Sequence, residues 1–398
     1  MRPSSRQGLP VPRTGRLNRD DGAVNILFHS WAFPPNGGGV GAYIANMSRA
    51  LASCGHQVVV VTGRAPGLPA EETGPNLKIR RCYDQSEIGS RRVLHLVLDA
   101  AREHAVELIE GADYLGDCAR LLKVRQRPPV VIKVHSCNIL QVLHESQVLK
   151  RWQRPMISAA LLRNWRQTRR EKVSIVAADM LIAPSARILL ELERQGVSLP
   201  GKKAVIANPI MPLDSGNQVE AAVPTLLMVS RLDIGKGIQY LPRIVSRLAR
   251  DFPGLRLEIA GGDAYARGLG SLKKWLVGQL GDLAQYVSFL GHLEQRELIA
   301  AYARAWVVIL PSRWDNFPTA LLEAMSLGKP AVASPHGGMP EMLQDTLCPT
   351  ALPESTAFVD HIKRFLGDRQ LRRAAGDSMR LKAASAYSPQ EIVSRYLD

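Results

Sequence analysis

The sequence predicts an α/β protein made of two doubly wound domains, each with a mainly parallel sheet. Short runs rich in Val, Ile and Leu alternate with amphipathic stretches of helical length, and continuous apolar runs are typical of parallel strands buried on both faces. The length of 398 residues fits about two domains. The alternation stops at 209–224, where Pro212, Gly216 and Pro224 interrupt it, so we expect an interdomain linker there.

The strand pattern begins after residues 1–22, an Arg-, Pro- and Gly-rich leader that we expect to be disordered. The first domain is predicted to span 23–208 and the second 225–385. In the first domain the apolar runs are 25–29, 57–62, 77–81, 107–109, 130–134, 180–183 and 204–206. In the second they are 225–229, 256–260, 287–290, 306–310 and 331–334. Helix candidates such as 238–250 and 295–303 lie between them.

Composition argues against several classes of protein. The cysteines, at 54, 82, 118, 137 and 348, are too scattered for a disulfide scaffold and lack C-x-x-C spacing. No apolar run approaches the ~18–20 residues of a transmembrane helix, and the leader lacks the apolar stretch of a secretory signal. We therefore expect a cytoplasmic protein. The net charge of +15 indicates an anionic partner without identifying it.

A glycine-rich turn, PPNGGGVG at 34–41, joins the first strand to the first helix. Glycines let the backbone approach a ligand closely, and the helix N-terminus that follows offers free N–H groups to a phosphate. The spacing differs from the dinucleotide fingerprint, and no acid ends the second strand. On the residues alone, a phosphate site and a plain tight turn remain alternatives.

A basic loop, SRLDIGKG at 230–237, occupies the equivalent position in the second domain. Arg231 and Lys236 flank this loop, which leads into a helix. The arginine fork and the lysine point charge could together clamp a diphosphate. A solvated basic turn is the alternative.

The most specific motif runs from Asp315 to Glu341 and reads DNFPTALLEAMSLGKPAVASPHGGMPE. Asp315 precedes a predicted helix whose first turn suits Pro318. Glu323 lies about a turn further along, and Gly328 ends the helix. Two acids placed in this way can face one cleft, where carboxylates accept hydrogen bonds from vicinal sugar hydroxyls.

These three motifs, in this order, resemble those of glycosyltransferases with the GT-B fold, in the retaining family 4. The family's hallmark is an acid, seven residues and a Glu, followed by EAM-x-x-G-x-P-V-V-x-S-x-x-G-G-x-x-E, which here runs through Glu323 to Glu341. The family more often has Glu where this chain has the shorter Asp315. The resemblance covers 24–398 and implies two Rossmann-like domains facing each other across a central cleft. We expect 386–398 to pack back on the first domain.

The resemblance also implies the site residues. The expected catalytic residues are His135, Arg231, Lys236 and Asp315. The expected residues that bind the donor are Gly38, Gly39, Arg231, Lys236, Gly291, His292, Asn316, Phe317, Thr319 and Glu323. No metal ligands are expected.

The resemblance also implies what each of these residues does. The N–H groups of the two glycines, with Arg231 and Lys236, are expected to bind the diphosphate, and the turn at 290–293 to contact the base through its backbone. Glu323 is expected to bind the ribose and Asp315 to lie nearer the sugar. His135 ends the fifth predicted strand and is expected beside the donor sugar, because ligands bind at the carboxyl ends of such strands. A satisfied core histidine is the alternative.

The implied activity is retaining transfer of a hexosyl-type sugar from a nucleotide-diphosphate donor, with UDP as the expected carrier, to a hydroxyl acceptor. Surface glycan, exopolysaccharide, glycolipid and natural-product glycosylation are all compatible settings. Because the chain has no Asp-x-Asp and two cations could neutralise the leaving group, we expect neither a metal ion nor another cofactor. The alternatives are an inverting transferase or a nucleotide-sugar epimerase of the same fold, or a nucleic-acid-binding protein. Nucleic acid is disfavoured because no aromatic-basic sheet motif appears.

The segment 150–172 carries eight Lys or Arg and one Glu, about half of the net charge of +15. Trp152, Trp165 and aliphatic residues are interleaved with these charges. A helix of this composition can lie on an anionic membrane, and a helix that buries its apolar stripe on its own domain is the alternative. A lipid-linked acceptor and a peripheral location on the inner membrane face therefore remain open.

Overall fold

The computed structural model describes residues 22–135, 140, 165–214, 216, 219–266 and 268–398. Almost all of the predicted leader 1–22 lies outside the described residues. The basic segment 150–172 is described only from Trp165 onward, without the side chain of Arg166.

The first lobe is built on a sheet to which the described residues contribute eight strands. They are β1 (Asn25–Ser30), β2 (Gln57–Gly63), β3 (Glu71–Gly74), β4 (Leu77–Tyr83), β5 (Leu108–Ala112), β6 (Val130–Lys133), β7 (Met180–Ala183) and β8 (Lys203–Val205). Their order is β3-β4-β2-β1-β5-β6-β7-β8. All neighbouring pairs are parallel except β3–β4.

The strand β3 was not predicted, because its sequence EETG is polar and mostly exposed at the edge of the sheet. Its presence corrects one expectation, since His135 follows the sixth strand and not the fifth.

Helices cover both faces of this sheet. They are α1 (Gly38–Ser53), α2 (Arg91–Glu103), α3 (Trp165–Ala177) and α4 (Ala186–Arg194). Helix α1 buries Tyr43, Ile44, Met47 and Leu51, a spacing of three and four residues that aligns these side chains on one face. They join a core cluster with Ile26 and other residues on one side of the sheet, while α2 packs into a second cluster.

The second lobe has a smaller parallel sheet in the order β13-β10-β9-β14-β15. Its strands are β9 (Thr225–Val229), β10 (Arg256–Ala260), β13 (Val287–Gly291), β14 (Val307–Leu310) and β15 (Ala331–Ala333), with a hairpin of β11 (Tyr265–Ala266) and β12 (Gly270–Ser271). The helices are α5 (Leu241–Asp251), α6 (Leu272–Leu280), α7 (Gln295–Arg304), α8 (Thr319–Ser326), α9 (Met339–Leu343), α10 (Thr356–Gly367) and α11 (Arg369–Ala386). The hairpin was not predicted, because each of its strands has two residues.

The chain returns to the first lobe at its C-terminal end. The last helix, α12 (Pro389–Leu397), packs against α1. Its residues Ile392, Val393 and Tyr396 are buried in the core cluster of the first lobe that contains α1. The two lobes are therefore joined twice, by the linker and by the segment that leads into α12.

Direct hydrogen bonds also join the lobes. The carboxylate of Glu341 accepts the N–H groups of Ala186 and Arg187, each at 2.9 Å, at the start of α4. The Asn316 amide donates to the carbonyl oxygen of His135 at 2.6 Å. These contacts bring the carboxyl ends of the two sheets together. In open α/β sheets the carboxyl ends of the strands are where ligands bind.

Candidate active site

A cavity of about 980 Å³ lies between the two lobes. Its walls contain nearly all of the residues that the sequence singled out, namely Gly38, Gly39, His135, Arg231, Lys236, His292, Asp315, Asn316, Phe317, Thr319 and Glu323. Gly291 lies just behind the wall, where its carbonyl oxygen accepts the N–H of Gly261 at 2.7 Å. The structure thus brings together residues from the loops after β1, β6, β9, β13 and β14.

The glycine-rich turn lets α1 start at the cavity. Gly37 has a φ of +92°, and a Cβ atom there would lie 2.3 Å from the Cβ atom of Ala32. Helix α1 therefore begins at Gly38, and the N–H groups of its first turn have no partner within the helix. A Cβ atom on Gly39 would lie 3.6 Å from the hydroxyl of Thr319, the first residue of α8. Two helix N-termini thus face each other across a narrow gap, and both favour an anion.

The basic loop places its two cations differently. Asp233 accepts the N–H of Gly235 at 2.8 Å and lies 3.3 Å from the Arg231 guanidinium, which is 64% exposed. Arg231 can therefore move towards a ligand at little cost. Lys236 is less exposed, and its Nζ lies 2.5 Å from Oδ2 of Asp315.

Two glycines fix the backbone of Asp315. A Cβ atom on Gly337, which has a φ of +67°, would lie 1.9 Å from the carbonyl oxygen of Asp315. A Cβ atom on Gly338 would lie 2.1 Å from the carbonyl oxygen of Asn316. The N–H of Gly338 donates to Asp315 at 3.0 Å. The glycine pair of the motif therefore lets two loops touch through their backbones and places the Asp315 carboxylate beside Lys236.

Asn316 links the two lobes, and Phe317 packs within the second lobe. The Asn316 amide donates to His135, and its oxygen accepts the indole N–H of Trp314 at 2.6 Å. The Phe317 ring packs edge-on against Tyr387, which follows α11, with centroids 5.6 Å apart. Both side chains line the cavity, and their contacts with other protein groups help to set the shape of its wall.

His135 is presented to the cavity as a neutral imidazole. Its main-chain N–H donates to Asp113 at 2.8 Å, and its ring lies 4.6 Å from the ring of Tyr43. Burial, and then the charge of Lys133, hold the pKa of His135 well below its usual range. Its Nε2 has no hydrogen-bond partner within the part of the chain that the structure describes. This nitrogen is suited to a hydroxyl group of a ligand.

Glu323 is a largely buried carboxyl group at the cavity wall. Burial raises its pKa from 4.5 to about 7. The Tyr302 hydroxyl lies 2.8 Å from Oε2 of Glu323 and 2.9 Å from the carbonyl oxygen of Ala320. Sequence reasoning missed Tyr302, because it lies among the apolar residues of α7, a pattern that predicts only core packing.

Sequence reasoning also missed several residues of the cavity wall. These are Trp31, Gln85, Tyr114, Asn208 and Trp314. The Trp31 indole packs against Gly63, where a Cβ atom would lie 2.5 Å from Cδ1 of the ring. These residues lie in loops without a motif, and only the fold brings them to the cleft.

No described helix is both long and apolar enough to cross a bilayer. No group of three or more His, Cys, Asp or Glu side chains among these residues could hold a metal ion.

Family models match both lobes of the chain. Residues 37–212 match the model described as Glycosyltransferase Family 4, and residues 216–382 match that described as Glycosyl transferases group 1. The boundary between the matches falls near the predicted linker.

Individual proteins give the same result. A glycogen synthase of Mycobacterium tuberculosis is 30% identical over 355 residues, which is 80% of this chain and 80% of that protein. The sucrose-phosphate synthase of Thermosynechococcus elongatus superposes with a TM-score of 0.76 at 22% identity, over 94% of this chain and 97% of that one. Anabaena HepE, solved with UDP and glucose, superposes with a TM-score of 0.69 at 17% identity, over 93% and 97% of the two chains.

The expected fold and family are therefore confirmed: the chain belongs to the group 1 glycosyltransferases, sugar-transferring enzymes with the GT-B fold.

Proposed function

We propose that this enzyme transfers a hexosyl-type sugar from a UDP-linked donor to a hydroxyl acceptor with retention of anomeric configuration. The observation that carries the proposal is the convergence of two helix N-termini, Arg231, Lys236 and the buried Glu323 on one cavity. Helix N-termini and cations suit a diphosphate. A buried carboxylate suits vicinal ribose hydroxyls, because hydrogen bonds to an ionised acceptor are the strong ones. The crystal structure of Anabaena HepE with UDP and glucose supports the choice of nucleotide.

The carboxylates of the described cavity wall are poorly suited to act as the base of an inverting enzyme, so the neutral His135 imidazole is the competing candidate base that the anomeric configuration of the product has to exclude. Asp233, Asp315 and Glu323 line the described part of the wall, and they are engaged by Arg231, Lys236 and Tyr302, respectively. An inverting enzyme needs a base aligned with the acceptor. In the retaining route the acceptor attacks from the face that the diphosphate leaves, and the leaving phosphate takes the acceptor's proton. The protein's part is positioning and charge stabilisation.

We further propose that the departing diphosphate is stabilised without a metal ion. The two side-chain cations and the N–H groups at the starts of α1 and α8 supply positive charge where negative charge grows. These groups are held in place before reaction, which is what makes such stabilisation effective.

A donor screen followed by determination of anomeric configuration tests the proposed function. We expect transfer from a UDP-sugar, measured as UDP release that depends on the acceptor, and NMR of the product should show the donor's configuration. The opposite configuration would identify an inverting enzyme. Conversion of the donor without transfer would identify an epimerase. Salt-sensitive oligonucleotide binding with no turnover of any nucleotide sugar would favour the nucleic-acid alternative.

Replacing either cation should slow turnover. Because Arg231 and Lys236 would stabilise charge that grows as the diphosphate departs, Arg231→Ala and Lys236→Ala should lower kcat by on the order of 10²–10³-fold. Donor KM should change less. Steady-state kinetics with Arg250→Ala, an exposed residue of the same lobe, provides the control. Full turnover in both cleft variants would contradict the assignment.

Glu323→Gln should stabilise the free enzyme above pH 7 while weakening UDP binding. Because the pKa of Glu323 is raised from 4.5 to about 7, the folded state keeps a proton that the unfolded state releases within this window. The free energy of unfolding therefore falls as the pH rises from 4.5 to about 7, and above this range the loss is complete. Gln stays neutral and avoids a cost on the order of 3 kcal/mol.

Thermal unfolding and UDP calorimetry measure both effects. At pH 8 the variant should have a higher Tm and a lower UDP affinity than the unaltered enzyme, and the difference in Tm should shrink towards zero near pH 4.5. An unchanged UDP affinity would remove Glu323 from the ribose role. If the Tm of the variant and the Tm of the unaltered enzyme depend on pH in the same way, the raised pKa of Glu323 is contradicted.

We also propose that the segment 150–172 attaches the enzyme to anionic membranes. In its described part, α3 buries Glu171, Ser174 and Ile175 and packs on residues 114–119 of its own lobe. The opposite side leaves Trp165 49% exposed and the side chain of Arg169 in solvent. An exposed Trp beside cations is the arrangement expected at headgroup level.

Liposome co-sedimentation at two salt concentrations tests this attachment. Each cation near an anionic surface contributes about 1 kcal/mol, so replacing four should weaken binding by about three orders of magnitude, and added salt should weaken it too. The residues replaced by Gln are Arg163, Arg166, Arg169 and Arg170. The control removes the same charge from the second lobe by replacing Arg243, Arg247, Arg250 and Arg256. If the unaltered protein stays in the supernatant at low salt, the proposal that this segment binds anionic membranes is wrong.

A further inference from the structure

Four buried polar side chains pack together next to His135 in the core of the first lobe. They come from four elements, α1, β5, β6 and α12, and are Tyr43, Glu110, Lys133 and Tyr396. Each is at most 9% exposed. None of the four is among the described residues that line the cavity, so contact with a substrate does not explain them.

Lys133 is the unusual member of this cluster. It is fully buried, its Nζ donates to the carbonyl oxygen of Ile206, and the same nitrogen lies 4.8 Å from the centre of the Tyr43 ring. Burial lowers the pKa of Lys133 to about 7, against the opposing effect of Glu110. A buried ammonium group is costly compared with an apolar side chain of the same volume. Filling the core therefore does not account for a lysine here.

Glu110 ties the cluster together. The carboxyl group of Glu110 lies near the hydroxyl groups of Tyr43 and Tyr396, and burial raises its pKa while Lys133 opposes the rise. Among the described residues, Oη of Tyr396 and Oε2 of Glu110 make no hydrogen bond. Because Tyr43 lies on α1 and Tyr396 on α12, this carboxyl group lies between the helix that starts at the cavity and the helix that ends the chain. Tyr43 is thus flanked on two sides, by Glu110 near its hydroxyl and by Lys133 at its ring.

The ring of Tyr43 in turn packs against the ring of His135. The two rings are 4.6 Å apart and inclined by 54°. The main chain of His135 is held independently, by Asp113 at its N–H and by Asn316 at its carbonyl oxygen. With the backbone fixed, the remaining freedom of His135 is the rotation of its ring, and the ring of Tyr43 limits that rotation.

We propose that Lys133, acting through Tyr43, is a positioning residue that sets the orientation of the His135 imidazole at the cavity. The proposal rests on the proposed function, in which His135 lies beside the donor sugar. The charged and titratable groups around the imidazole are Lys133 on β6, Tyr43 on α1 and Asp113 after β5. Behind Tyr43 lie Glu110 on β5 and Tyr396 on α12.

The proposal predicts a specific change in pH dependence. His135 titrates well below pH 6.5, where Lys133 is protonated. A neighbouring positive charge disfavours a protonated imidazole. Removing the ammonium group should therefore raise the pKa of His135 and move the acid limb of kcat/KM to higher pH.

Two variants separate positioning from stability. Lys133→Met removes the ammonium group but leaves the Glu110 carboxyl group buried without its charge partner. The double variant Lys133→Met with Glu110→Gln removes both charges. Ser48→Ala is the matched control, because Ser48 is fully buried on the same helix as Tyr43 and its hydroxyl donates to the carbonyl oxygen of Ala45 on that helix.

We expect both Lys133 variants to lower kcat at least tenfold, with donor KM changed less than twofold and the acid limb moved upward. The double variant should regain the Tm that is lost in Lys133→Met, but its kcat should remain as low as that of Lys133→Met. Ser48→Ala should keep the kcat and the acid limb of the unaltered enzyme. NMR titration of the His135 ring without substrate should show the same upward shift in pKa in Lys133→Met.

Recovery of kcat together with Tm in the double variant would overturn the proposal, and so would an unmoved NMR titration. His135→Ala distinguishes this failure from failure of the proposed function. Full turnover of His135→Ala overturns the role of His135 and this inference together. Loss of turnover in His135→Ala with normal kinetics in both Lys133 variants overturns the inference alone.

Discussion

The ion pair between Lys236 and Asp315 balances part of the positive charge that the cleft concentrates. Two helix N-termini and two cations point into a cavity that has to be stable before any anion binds. Asp315 supplies a counter-charge to Lys236 at 2.5 Å, while the more exposed Arg231 is held loosely by Asp233. In the proposed reaction a diphosphate takes over Lys236, which frees the Asp315 carboxylate for the sugar.

The same short segment also joins the lobes, so in the proposed function it connects donor binding with the geometry of the cleft. Asp315 is fixed through backbone contacts with Gly337 and Gly338, and the next residue, Asn316, hydrogen-bonds across the cleft to the main chain of His135. Any movement of one lobe against the other therefore changes the position of His135 relative to Asp315. The opposite contact, from Glu341 to the start of α4, limits that movement. Helix α12 adds a third connection, because its side chains belong to the core of the first lobe.

The sequence predicted the parts of the fold whose signal is local. Strands such as β1 and β14 appear as continuous apolar runs because both of their faces are buried. The polar edge strand β3 and the short hairpin of β11 and β12 carry no such signal. The same distinction holds in the site. Arg231, Lys236, Asp315 and Glu323 could be predicted because each lies in a loop or helix start with a readable motif.

The partners of these residues could not be predicted, because what they do follows from tertiary contacts. From the sequence, Tyr302 is indistinguishable from a core residue, and only the fold shows that its hydroxyl contacts Glu323. Lys133 likewise resembles any strand residue in the sequence, and only the fold shows that β6 is buried on both faces. Both cases put a costly group beside the cleft: a buried carboxyl group in the second lobe and a buried ammonium group in the first, each with a pKa of about 7. Apolar replacements would relieve the desolvation cost at either position. Both groups lie close to one cavity, and strongly shifted pKa values are characteristic of functional sites. In the proposed function, the stability lost at these two positions serves the transfer reaction and not the fold.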